Sequence, residues 1–406
     1  YEAARSCYAE LVGSFISSRG VEFRSRQHVV YRKIATTYER QGEFDQALEQ
    51  LETAAQKLLT AGKSSPVAKA QILNDKGWIQ FLRGNFQEAR SSLQSALDLV
   101  TGSDELSVVA SINNRLGAVS YQLREYKQAA RYVRESLELR KKQQDLSGEA
   151  RLYNNLGLLG LMSGDLHEAK SNFYQSLELL EKVGDTEGIA LANINLGLVK
   201  YDLGDFAAAR EHLGKAVSIS QRIGHRFYLG LANMYLGRLE SSQGGFERAD
   251  ELLAQSQEIF EELGAQDNLV DAYCYRSENY LAWGNFESAA HWCRIARSKL
   301  AIGGGELASD SVQSGRVLRL QGSLARIQGE LDQSGRYLQE SADIFQQAME
   351  KLESARTAYE LGMLEIDRGM PGRAQPHFEQ AREIFIEVGA EKELERVDSQ
   401  LEASLV

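Results

Sequence analysis

The sequence predicts an all-α fold, a solenoid of about nine helix-turn-helix repeats. Three observations indicate it: a landmark that returns about every 40 residues, small and apolar residues spaced four and three apart after it, and only three prolines among 406 residues. A solenoid extends its core in one dimension, so a chain of this length needs no division into domains of the usual size.

The landmark is a glycine, then usually an acidic residue or asparagine, then an aromatic residue or leucine. Its nine copies begin at Gly42, Gly84, Arg124, Gly164, Gly204, Gly244, Gly284, Gly329 and Gly369. Successive copies are 40 to 45 residues apart, and those at Arg124 and Gly369 match less well. Self-similarity at such a period is the signature of a repeat architecture.

The second helix of each repeat begins at the landmark. A small residue follows five residues on, a larger one four residues later and another small one three residues after that. This spacing places all three positions on one helix face. The larger residues are Leu51, Leu93, Val133, Phe173, Leu213, Leu253, Cys293, Leu338 and Phe378.

The first helix of each repeat carries a small residue seven positions before the landmark. The residues there are Ala35, Gly77, Gly117, Gly157, Gly197, Gly237, Ser277, Gly322 and Gly362. Glycine inside a helix costs about 0.5–1 kcal/mol relative to alanine. The recurrence of glycine at the same position of successive first helices therefore predicts a facing helix that leaves no room for a side chain.

These units predict the organisation of the chain. A partial repeat or N-terminal helix occupies residues 1–28, repeats one to seven occupy 29–301, a glycine-rich link occupies 302–310, repeats eight and nine occupy 311–390, and a C-terminal capping helix occupies 391–406. The chain opens at Tyr1 without a methionine, and we expect it to be part of a longer protein.

The residue types and spacings resemble the tetratricopeptide repeat family from Val29 to about Gly389. The 40-residue variant, with Asn154–Gly157 and Asn193–Gly197 as its fingerprint, is similar to LGN/Pins adaptors and to the repeat regions of bacterial signalling ATPases, cyclases and MalT-like regulators. The resemblance implies a right-handed superhelix whose first helices line a concave face. The proline that the family places after the second helix is missing here.

Charge and composition exclude several classes of function. The net charge of −11 disfavours nucleic acid as a partner, because phosphate binding needs a basic face. No apolar run approaches the length of a membrane span. The three cysteines, Cys7, Cys274 and Cys293, have no metal-ligand spacing and are typical of reduced thiols in a cytoplasmic protein.

No catalytic, cofactor or metal motif stands out, and we predict that the chain is not an enzyme. Gly303–Gly305 lacks the Lys-Ser/Thr of a phosphate-binding loop, and the six histidines are scattered. Cys293 takes the place of the larger apolar residue of other repeats, which predicts a buried, unreactive thiol.

The family's geometry implies which residues face the concave side. The basic residues there are Arg32, Lys33, Arg40, Arg115, Arg151, Arg238, Arg316, Arg319, Arg326 and Arg356, against seven acidic ones. The concave face is then the least acidic surface of an acidic protein. Asparagine amides on it can pair with the backbone of an extended peptide.

We predict the peptide-binding residues to be Asn74, Trp78, Asn114, Arg115, Arg151, Asn154, Asn155, Leu158, Asn195, Tyr201 and Arg238. The alternative is that these are ordinary solvated or packing residues of the helices. Two functions stay open. One is a scaffold that captures an acidic protein or peptide segment, or another domain of the parent chain. The other is a ligand-sensing region that controls an attached ATPase, cyclase, peptidase or transcription activator.

Overall fold

The computed structural model describes residues 26–61, 65–302 and 311–404. Over these ranges the chain forms nineteen α-helices and no strand, which confirms the predicted all-α class. The expected partial repeat up to residue 25 and most of the glycine-rich link lie outside the described residues. The helices belong to two compact units, called unit 1 (up to Leu152) and unit 2 (from Tyr153).

Unit 1 is built from three helix pairs in sequence. The helices are α1 (Gln27–Glu39), α2 (Phe44–Thr60), α3 (Pro66–Leu82), α4 (Phe86–Val100), α5 (Leu106–Gln122) and α6 (Tyr126–Lys142). Helix α7 (Leu146–Ser163) begins in unit 1 and ends in unit 2. Each odd-numbered helix up to α5 packs on the even-numbered helix that follows it.

Unit 2 continues the same alternation and ends on an additional helix. The helices are α8 (Leu166–Val183), α9 (Thr186–Asp202), α10 (Phe206–Ile223), α11 (Arg226–Ser242), α12 (Phe246–Leu263), α13 (Gln266–Ala282), α14 (Phe286–Ile302), α15 (Val312–Ile327), α16 (Leu331–Ala348), α17 (Lys351–Asp367), α18 (Pro371–Val388) and α19 (Glu391–Ser404). Helix α19 packs on α18 through the buried side chain of Val397 and neighbouring apolar residues.

The recurring glycine of each first helix faces the larger residue of the second helix in the same repeat. A Cβ atom on Gly197 would lie 2.5 Å from Cγ of Leu213, and one on Gly237 would lie 2.8 Å from Cγ of Leu253. Gly157 faces the ring of Phe173 in the same way. These separations are shorter than carbon atoms tolerate, so the predicted close approach of the two helices is confirmed.

The landmark glycines end the first helix of each repeat. Gly164, Gly204 and Gly244 have φ angles of +77°, +79° and +80°, a left-handed conformation that glycine adopts without strain. The copy at Arg124 keeps this geometry with φ of +59° although it has a side chain. The turn geometry is therefore preserved even where the glycine is not.

The last helices of unit 2 return to contact its first repeats. A Cβ on Gly389, between α18 and α19, would lie 3.0 Å from His167 Nε2 and 3.5 Å from Leu203 Cδ2. A Cβ on Gly204 would lie 3.8 Å from Cβ of Lys392. We call this contact between the Leu203–Gly204 turn and the α18–α19 link the closure contact.

One pair of identical substitutions tests the close approach of the helices. Gly197→Ala should destabilise the protein by about 1–3 kcal/mol, because the new methyl group overlaps Leu213. Gly214→Ala, on the next helix with no atom within 4 Å, should stabilise it by about 0.5–1 kcal/mol through helix propensity. The free energy of unfolding from denaturant titration measures both, and equal effects would contradict the inferred packing.

Candidate functional site

In unit 1, three of the predicted binding residues lie together. Arg115 donates to the backbone oxygen of Asn74 at 2.8 Å, and its guanidinium lies 5.3 Å from the centre of the Trp78 ring. Trp78 Nε1 donates to Glu39 at 3.1 Å. Asn74 is buried and donates to Ser111. Asn114, the residue before Arg115, is half-buried, and Arg151 is exposed on α7.

In unit 2, the predicted residues form two pairs. Asn195 Nδ2 of α9 donates to Asn154 Oδ1 of α7 at 2.8 Å. The guanidinium of Arg238 lies 4.4 Å from the centre of the Tyr201 ring, within the range of a cation–π interaction. Asn155 is half-buried on α7, and Leu158 is exposed there. The side-chain amides of Asn154 and Asn195 therefore bond to each other across the first helices of adjacent repeats.

A cavity of about 480 Å³ lies within unit 2. Six arginines line it: Arg238, Arg316, Arg319, Arg326, Arg356 and Arg396. The first five are concave-side residues in the sequence analysis, and they come from α11, α15 and α17. The aromatic rings of Tyr201, Tyr275 and Tyr359 form part of the same wall.

Glu353 of α17 is the carboxylate on which three of these arginines converge. It accepts from Arg319 at 2.5 Å and from Arg356 at 2.8 Å, and Arg316 lies 3.9 Å away. Burial by itself raises the pKa of Glu353, but the attraction of the three guanidinium groups outweighs it and holds the pKa well below its usual range. The carboxylate is thus charged at neutral pH.

Among the five concave-side arginines, Arg238 stands apart because no carboxylate among the described residues forms a hydrogen bond with it. Its nearest ionic partner, Asp202, is 3.8 Å away, and its side chain is 12% exposed. Its guanidinium lies over the rings of both Tyr201 and Tyr275. This cation is held by aromatic faces and retains N–H groups for an acceptor.

Two further donors at the cavity lack an acceptor. The Nε atoms of Arg316 and Arg326 are buried and form no hydrogen bond with any residue that the structure describes. Buried polar groups are nearly always paired, so such exceptions call for an explanation. The two atoms are buried from the cavity as well as from solvent, so they do not mark a binding surface, whereas part of the Arg238 side chain is exposed.

Most of this wall was not selected from the sequence. The site prediction included Tyr201 and Arg238 but placed the other residues on repeats two to five. The arginines of α15 and α17 carried a signal, since they occupy concave positions. Tyr275 also occupies such a position, whereas Arg396 and Glu353 do not, so only the structure shows that they reach the cavity.

Other classes of site find no support in the residues described. Within 26–61, 65–302 and 311–404 no group of His, Cys, Asp and Glu could hold a metal ion. Cys274 and Cys293 are buried, and burial raises the pKa of the Cys293 thiol to about 12. No described helix is both long and apolar enough to cross a membrane.

The paired helices, the glycine contacts and the left-handed turns define a helical repeat protein. The tetratricopeptide repeat model matches residues 26–101, 108–182, 188–262 and 313–387, well over half of the chain. The chain therefore belongs to the tetratricopeptide repeat family. A search of curated proteins finds no match.

Several solved structures share the fold. A Rap protein in complex with competence and sporulation factor has a TM-score of 0.64 at 13% identity, over 93% of this chain and 99% of that one. The quorum sensor NprR from B. thuringiensis, in its apo form, has a TM-score of 0.61 at 12% identity, over 86% and 99%.

A third structure is a signal transduction ATPase with numerous domains from Pyrococcus horikoshii, which carries a tetratricopeptide repeat sensor. Its TM-score is 0.53 at 19% identity, over 91% of this chain and 55% of that one. At identities this low, the three likenesses establish the fold.

The role of Glu353 is testable through pH. Glu353→Gln should destabilise the protein by about 3–5 kcal/mol at pH 7, because it leaves buried guanidinium groups without their shared carboxylate. The folded-state pKa is depressed, so this stabilisation is present above the unfolded value of 4.5 and is lost as the pH falls below it.

The difference in unfolding free energy between the two proteins should therefore be constant above about pH 5 and shrink in more acid solution. The exposed residue Glu340 of α16 offers a control, and Glu340→Gln should change little at any pH. A difference that is as large at pH 3.5 as at pH 7 would show that charge on Glu353 is not what stabilises the network.

Proposed function

We propose that unit 2 is a binding module for a peptide, or a peptide-like segment of a partner protein, that carries carboxylate groups. The observation that carries the proposal is the cavity of about 480 Å³ with six arginines in its wall. Its volume lies within the range of about 300–1,000 Å³ of ligand pockets. Guanidinium groups recognise carboxylates through charge-assisted hydrogen bonds.

Arg238 supports a ligand rather than a purely structural network. Arg319 and Arg356 have direct carboxylate partners that hold them in the wall. Arg316 and Arg326 also have such partners, Asp271 and Asp367, whereas Arg238 has no carboxylate at hydrogen-bond distance among the described residues. Acidic side chains or a free C-terminus of a peptide supply acceptors of the right charge.

The predicted residues outside the cavity extend this proposal. Asn154, Asn155, Leu158 and Asn195 offer amide and apolar contacts along α7 and α9. We also propose a further contact surface for a protein partner in unit 1. It consists of Trp78, Arg115, Asn74, Asn114 and Arg151. The fold shared with a Rap protein bound to competence and sporulation factor is consistent with ligand capture by such a scaffold.

A second candidate function is that of a sensor within a larger regulator, in which ligand binding controls an attached effector. The likeness to the tetratricopeptide repeat sensor of a signal transduction ATPase favours it. Both functions use the same cavity, and they differ in whether binding changes the conformation of the repeats.

The proposal is tested by selecting peptides from a random heptapeptide library on the purified protein. The enriched peptides should be rich in Asp and Glu. Arg238→Gln should weaken binding of the enriched peptide at least about tenfold, since a hydrogen bond to a charged group is worth about 1.5–3 kcal/mol. Fluorescence anisotropy of the labelled peptide measures the dissociation constant.

Arg248→Gln is the matched control, because Arg248 is an exposed arginine of the same unit that pairs with Glu251 on its own helix. It should change the affinity less than twofold, because Arg248 does not line the cavity and salt screens its charge. Enrichment of peptides without acidic residues, or equal effects of the two substitutions, would contradict the proposed site.

A further inference from the structure

We propose that Asp202 is an internal competitor for the ligand's carboxylate, and that an acidic group binding at Arg238 and Arg356 displaces it and loosens the closure contact. The proposal rests on the proposed function, since it assigns a regulatory role to the same cavity. It gives the cavity two states, one closed by the chain's own carboxylate and one occupied by a ligand.

Asp202 is the last residue of α9, and its side chain is 7% exposed. Its Oδ1 accepts from Arg356 of α17 at 2.9 Å and lies 3.8 Å from Arg238 of α11. The carboxylate thus lies between two arginines of the cavity wall, where an acidic ligand group would bind.

Asp202 is replaceable at this position. A carboxylate at the C-terminal end of a helix meets the negative end of the helix dipole, so its own helix disfavours it. Arg356 also bonds to Glu353 at 2.8 Å and to Glu393 at 2.7 Å, so it stays paired if Asp202 leaves. Exchange of one carboxylate for another keeps the number of ion pairs constant.

This exchange of carboxylates affects the closure contact. Leu203 and Gly204 follow Asp202 directly, and they are the residues that approach Gly389 and Lys392. Arg356 also holds Glu393, the neighbour of Lys392 on α19. The ion pair and the closure contact therefore join the same two parts of unit 2, and loss of the ion pair weakens the contact.

Binding of a simple probe tests the competition. The tripeptide tri-glutamate, measured by isothermal titration calorimetry, should bind the Asp202→Asn protein about tenfold more tightly than the unchanged protein, because the competitor is gone. Glu251→Gln removes one exposed negative charge from the same unit and should leave the affinity within about twofold.

The outcomes separate the two proposals. Equal or weaker binding to the Asp202→Asn protein overturns the competition while the binding module stands. No binding to either protein overturns both. A gain that Glu251→Gln reproduces in full shows a general charge effect and also overturns the competition. Tri-glutamate with an amidated C-terminus tells whether a side-chain or a terminal carboxylate is used.

A disulfide measures the closure contact itself. The Cβ atoms of Gly204→Cys and Lys392→Cys would lie 3.8 Å apart, which matches a disulfide. The control pair is Gly244→Cys with Lys392→Cys. Gly244 has a φ angle of +80°, so a cysteine there carries the same backbone strain, but no atom lies within 4 Å of its Cβ position. Under a glutathione redox buffer, the first pair should cross-link and the control should not.

Tri-glutamate, or Asp202→Asn without ligand, should slow the cross-linking of the first pair severalfold. An unchanged rate under both conditions would overturn the link between the ion pair and the closure contact. Failure of the first pair to cross-link at all would show that the contact is not formed, with the same consequence.

Discussion

The close contact between the two helices of each repeat is the constraint on which the rest of the structure depends. A glycine such as Gly197 lets the first helix approach until Leu213 of the second fills the space where a Cβ would be. The left-handed turn at Gly204 then fixes the direction of the second helix. Because this geometry recurs, equivalent positions of successive first helices come to lie side by side, and their side chains share one face.

That shared face explains how distant residues build one cavity in unit 2. Arg238, Arg316 and Arg356 are at concave-side positions of three different repeats, and the repeat geometry brings all three to one wall. Carboxylates such as Glu353 neutralise part of this charge, which allows several guanidinium groups to be buried together. Arg238 has no carboxylate at hydrogen-bond distance among the described residues, which is why the proposed ligand is assigned to it.

The local features could be predicted from the sequence because they depend on residues within one repeat. Gly157 and its facing residue Phe173 are 16 positions apart, and both were identifiable from periodicity alone. Tyr201 and Arg238 were also among the predicted binding residues, a selection that remains to be tested. The closure contact could not be foreseen, since small rotations over several repeats decide whether Leu203 reaches Gly389. For the same reason Arg396 and Glu353 showed no sign of their place at the cavity.

The fold of unit 2 brings Asp202 of α9 and Arg356 of α17 together although 154 positions separate them. A double-mutant cycle tests it most directly, with unfolding free energies for the unchanged protein, Asp202→Asn, Arg356→Gln and the double variant. Residues in direct contact should show a coupling of about 1 kcal/mol or more. A coupling below about 0.3 kcal/mol would contradict the account, because it would mean that the two side chains do not interact.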